Sequence, residues 1–157
     1  MSHRSGDRTV RARVQLAAMI VSGILLLFGV LGFVPGITTD YHELTFAGPR
    51  SRAELFGLFQ VSVLRNLVFM ISGLIGLVLA RRLTGARVFL AVGGALYLLL
   101  WIYGLATADE STANWLPVNG PGDWLHLALG LCMLALGLLL SNRVGTAGRL
   151  DEPIDSP

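Results

Sequence analysis

Four apolar runs separated by polar stretches set the pattern of this chain. The first is the 21-residue run Val14 to Val34, which as a helix spans about 31 Å and crosses a hydrocarbon core. Pro35 and Gly36 stop it. After the polar stretch Ile37 to Leu55, Phe56 and Phe59 bring the chain back to the membrane surface, where aromatic rings settle well. The second run includes Val61 to Arg82, VSVLRNLVFMISGLIGLVLARR, with Arg65 and Asn66 near its start. The third follows the arginine-rich link Arg81 to Arg87, with Tyr97, Trp101 and Tyr103 towards its far end. A second polar stretch, Thr107 to Gly122, leads to the fourth. The pattern predicts an all-α, four-helix transmembrane bundle over residues 14–141, with helices at about 14–34, 56–80, 88–106 and 123–140. Short links force antiparallel neighbours, so the expected order is up-down-up-down. Residues 1–13 read as a basic tail, and 142–157 as a polar tail expected to be disordered.

Composition agrees with the pattern. Of 157 residues, 54% are hydrophobic and only 14% charged, with a mean hydropathy of +0.66. A soluble domain of this size needs far more charged surface. All 12 basic residues are arginine, and their placement gives an orientation. Nine lie in the two tails and the 81–87 link, whereas the other two polar stretches hold Arg50 and Arg52 against six acids, counting Asp123 at the end of the second. The excess of arginine faces the cytoplasm. The expected protein is therefore a multi-pass plasma-membrane protein with both termini cytoplasmic. The first run is too long for a signal-peptide core and no small-x-small cleavage site follows it, so it reads as a retained helix.

Candidate chemistry is sparse. At helical spacing on helix two, Ser62, Arg65, Asn66, Phe69, Gly73 and Gly76 share one face. A small, polar face avoids lipid and packs on other helices. Arg65 lies close enough to the outer boundary for its guanidinium to reach the headgroups, the favoured reading; the sharper one is an ion pair or ligand contact inside the bundle. Helix four offers Asp123 and His126 at the same end, with Gly130 further in, at a constant offset of 57 from Asn66, Phe69 and Gly73. That offset hints at duplicated hairpins. With Asn119, these residues make one candidate polar cluster: Arg65, Asn66, Asn119, Asp123 and His126. Ser62, Gly73, Gly76 and Gly130 read as helix-packing positions. His126 is expected to be a hydrogen-bonded structural residue, and Cys132 an apolar filler. Trp101, Tyr103, Trp115 and Trp124 read as an aromatic belt. The single cysteine excludes an internal disulfide, and His3 and His42 lie outside the helices, so no metal site or haem pair is expected and no cofactor is called for. No nucleotide or serine-hydrolase motif is present, which points away from an enzyme.

Several stretches resemble one family. They are Phe56-Gly57-Leu58-Phe59-Gln60-Val61-Ser62-Val63-Leu64 with Asn66, Gly85-Ala86-Arg87, and Tyr97 to Gly104. Ala113-Asn114-Trp115-Leu116-Pro117-Val118-Asn119 and Asp123-Trp124-Leu125-His126-Leu127 complete the set. Together they are similar to the bacterial, mainly actinobacterial, membrane proteins grouped as domain of unknown function 4383. The resemblance covers about residues 14–141 and implies a four-helix integral membrane protein with no assigned activity. It also implies histidines on helix two where this chain has Arg65 and Phe69, a departure that weakens metal or haem binding.

Three functions fit these features. The first is a non-enzymatic accessory or structural membrane subunit, acting as a homo-oligomer or within a larger membrane complex. The second is small-molecule transport or binding at the polar cluster. The third is a quinone-linked redox subunit. The lipid bilayer is the expected surrounding partner, and nucleic acid is not one.

Overall fold

The computed structural model describes residues 3–48, 50–107 and 119–145. Four helices make up most of it: α1 (His3–Leu31), α2 (Val63–Leu79), α3 (Leu83–Ala106) and α4 (Gly120–Gly145). Between α1 and α2 lies a small antiparallel sheet of two-residue strands, β1 (Thr38–Thr39), β2 (Glu54–Leu55) and β3 (Phe59–Gln60). The architecture is all-α, a four-helix bundle capped at one end by that sheet.

Three segments, Arg13–Leu31, Leu83–Ala106 and Gly120–Leu140, are long and apolar enough to cross a membrane. Their outward faces carry large apolar side chains, among them Ile20, Leu99 and Leu139, each more than half exposed. A continuous surface of this kind suits lipid and would be a liability in water. The fourth helix, α2, has 17 residues, about 26 Å of helix.

The helix bounds differ from expectation at several ends. Helix two starts at Val63 and not at 56, because residues 54–60 are taken by the β2–β3 hairpin. Phe56 and Gly57 turn that hairpin with positive φ values of 59° and 65°, which a helix cannot accommodate. Helix three starts at Leu83, five residues early: the link to α2 is only residues 80–82. Gly85 makes this turn possible, since a Cβ there would lie 3.1 Å from the Leu79 carbonyl carbon. Helix one reaches back to His3 through the expected basic tail, and helix four runs on to Gly145. Arginine is a good helix former and no proline interrupts either extension. Residues 146–157, the rest of the expected disordered tail, lie outside the described residues.

The start of α2 is buried, so its backbone donors need partners. The N–H of Val63 donates to the Thr45 carbonyl at 3.0 Å, and that of Leu64 to Phe46 at 2.9 Å. The Arg65 N–H donates to the Ser62 side chain at 3.1 Å, and the Asn66 N–H to the Ser62 carbonyl at 2.9 Å. At the opposite end, Gln15 Nε2 donates to the carbonyls of Ala80 and Arg81 at 3.0 and 2.9 Å. Helix two is thus closed at both ends by other parts of the chain.

The helices pack in two pairs, α1 on α2 and α3 on α4, with fewer contacts between pairs. The pairs resemble each other in detail. A Cβ at Gly73 of α2 would lie 2.6 Å from the Leu26 nitrogen of α1, and one at Gly130 of α4 2.7 Å from the Leu98 side chain of α3. Gly32 abuts the Asn66 side chain, and Gly104 abuts that of Asp123. Gly130 and Asp123 follow Gly73 and Asn66 by 57 positions, and Leu98 and Gly104 follow Leu26 and Gly32 by 72. The core shared by the pairs includes Leu25, Phe69, Leu90, Tyr97 and Met133.

Candidate functional site

The polar residues of α2 and α4 meet inside the sheet end of the bundle. Helical spacing puts Arg65, Asn66, Phe69, Gly73 and Gly76 on the buried face of α2. Arg65 is 2% exposed, Asn66 0% and His126 2%. The reading in which Arg65 reaches out to headgroups is therefore corrected: its guanidinium turns inward. The strands cover this end of α2, and Nη1 donates to the Gln60 carbonyl at the end of β3. Its Cζ sits 5.7 Å from the centre of the Phe69 ring, a cation–π arrangement. Asp123 supplies the opposing charge.

Asn119 ties the sheet to α4. Its Oδ1 accepts from the Gly122 N–H at 3.1 Å, which caps α4. The Gln60 N–H approaches the same oxygen at 3.4 Å, and Nδ2 donates to the Leu58 carbonyl at 2.9 Å. This cap explains why α4 begins at Gly120, three residues before the expected start.

Below the guanidinium lies a layer of three rings. Phe69 and Tyr97 stack at 6.1 Å with an interplanar angle of 22°. His126 lies 5.9 Å from Tyr97 and 6.4 Å from Phe69. Nδ1 of His126 has no hydrogen-bond partner among the described residues, and neither polar atom of the Asn66 amide has one. His126, expected to be a hydrogen-bonded structural residue, is packed among these rings.

The five candidate residues fall into two groups. Asn66 points to α1, against Gly32, while Asn119, Asp123 and His126 lie around the Arg65 guanidinium. Among the packing candidates, Ser62 caps α2, Gly73 and Gly130 sit at the two helix crossings, and Gly76 lies against Phe89 of α3. Cys132, expected to be an apolar filler, is exposed on the outer face of α4. Trp124 is also exposed, Trp101 and Tyr103 are half-buried, and Trp115 lies outside the described residues. Among the described residues no group of three His, Cys, Asp or Glu side chains could hold a metal.

Three participants escaped the sequence reading: Tyr97, the Gln60 carbonyl and Gly122. Tyr97 follows Leu90 and Gly94 at helical spacing, a signal that marks the inner face of α3. A backbone carbonyl leaves no such signal. Gly122 stands 57 positions after Arg65 and is where a Cβ would come within 2.9 Å of Nη2.

The fold and its buried cluster define a small, helical membrane protein with a buried charged site at the capped end. The chain belongs to the family described as domain of unknown function 4383, whose match covers residues 15–139. No curated protein and no solved structure matches it.

Proposed function

We propose that this protein is a non-enzymatic accessory or structural subunit of the plasma membrane, acting as a homo-oligomer or within a larger membrane complex. Both termini face the cytoplasm in this reading, and the sheet end faces outward, as the arginine distribution favours. The observation that carries it is the way Arg65 is used. A guanidinium 2% exposed is matched by the Gln60 carbonyl, the Asp123 charge and the Phe69 ring. Such a group locks the sheet, α2 and α4 together and leaves little of itself for a passing solute. Mild detergent extraction followed by cross-linking and mass measurement tests the reading. A particle of several chains is expected; a strictly monomeric, partnerless protein contradicts it. Orientation is checked separately by cysteine labelling in a Cys132→Ser background. A cysteine at Arg50 should react from outside, and one at Arg143 only after permeabilisation.

Small-molecule binding at the same cluster is the second reading. It is favoured by the buried Asn66 amide and His126 Nδ1, which have no hydrogen-bond partner among the described residues. Its test is whether His126→Phe alters uptake or binding while expression and fold are retained. No change in either would remove it.

A further inference from the structure

Away from the Arg65 cluster, a groove of about 500 Å³ runs between α2 and α3, a size that suits a small-molecule site. It lies where the two helix pairs meet loosely, and its rim includes Val92, which is 54% exposed. Its walls are aliphatic and aromatic apart from the hydroxyls of Ser72, Tyr97 and Tyr103, and among the described residues no charged one lines it. Tyr97 sits near the midpoint of α3, about 4 Å along the axis from the helix centre. It is 5% exposed, and its hydroxyl lies beside Ser72 with no hydrogen bond of ordinary geometry among the described residues.

We propose that this groove binds a neutral lipid whose headgroup is a flat ring bearing carbonyls, the quinone class. Tyr97 and Ser72 donate to a ring carbonyl, and the apolar tail lies along the aliphatic wall at Val68 and Val92. Each part of that description follows from the lining. A charged head at this depth is strongly disfavoured, and nothing in the groove compensates it. Two neighbouring hydroxyls carry two donors, and bonding to each other uses only one, which leaves a donor for an acceptor such as a ring carbonyl. Ester carbonyls of ordinary phospholipids sit at the interface, too shallow to reach mid-helix. Phe89 and Tyr103 provide ring surfaces against which a flat head can pack. The proposal is independent of the accessory role: Tyr97 belongs to both places, its ring to the layer under Arg65 and its hydroxyl to the groove, but the rest of the lining lies outside the cluster.

The test is titration of the full chain in detergent with decylubiquinone, read by quenching of tryptophan fluorescence; Trp101 lies one turn beyond Tyr97 on α3. Saturable quenching is expected. Tyr97→Phe should weaken it about 3- to 10-fold, the size of one hydrogen bond. Val92→Trp, which fills the groove from an exposed position, should abolish it. Ser72→Ala gives the same reading of the head contact if Tyr97→Phe does not fold. Absence of saturable quenching overturns the proposal. So does equal competition by hexadecane with affinity unchanged in Tyr97→Phe and Ser72→Ala, which would make the groove a seat for an acyl chain only.

Discussion

A single arginine decides the chemistry of the capped end. Removing one partner of a buried ion pair costs about 3–5 kcal/mol, because the other charge stays buried. Arg65→Met is therefore expected to lower thermal stability sharply in detergent, and adding Asp123→Asn should restore part of the loss. A double-mutant cycle on unfolding midpoints measures that coupling; strictly additive effects would show that the two side chains act separately. Gly122 offers a gentler probe. A Cβ there would lie 2.9 and 3.1 Å from the two Nη atoms and 3.1 Å from Asn119 Oδ1. Gly122→Ala should thus displace the guanidinium from the Gln60 carbonyl and destabilise the protein by about 1–3 kcal/mol. Gly120→Ala, where a Cβ meets nothing within 4 Å, should be close to neutral.

Helix two depends on what surrounds its ends more than on its own length. At 17 residues it is the shortest of the four described α-helices, and its first donors are taken by Thr45, Phe46 and Ser62. Ser62→Ala should cost about 1 kcal/mol, the usual loss for a cap. Asn119→Ala removes the side chain that joins β3, the hairpin loop and α4. It should loosen the sheet from the bundle, seen as faster proteolysis within residues 37–61 at an unchanged helix content. The inward face of α2 was legible from the spacing of Ser62, Arg65, Asn66, Phe69 and Gly73. Its start was not, because Phe56 to Gln60 is as apolar as a helix and only pairing with Glu54 and Leu55 removes it.

At the scale of the whole molecule the two helix pairs share one packing scheme, with Gly73 and Gly130 at equivalent crossings. Gly73→Leu and Gly130→Leu should each force a pair apart, with comparable losses of about 1–3 kcal/mol or more. Unfolding of the two variants by denaturant checks this; a large loss for one and none for the other would break the equivalence. The scheme is used unevenly. Equivalent positions hold Arg65 and Gly122, Asn66 and Asp123, and Phe69 and His126. One charge enters the interior from α2, the space for it comes from α4, and the opposing charge stands beside that space.

The order of apolar runs determined the helical class, the number of helices and the membrane setting, because hydropathy over some twenty residues is a local property of the chain. Helical spacing likewise determined which face of α2 turns inward. Tertiary structure alone decided that Arg65 points into the bundle and not to the headgroups. An arginine near a helix end can reach either, and the choice rests on a carbonyl from β3, a ring one turn below and a glycine 57 residues away. It also decided that residues 54–60 pair as strands and that Tyr97 joins the cluster, since both depend on neighbours far apart in the chain.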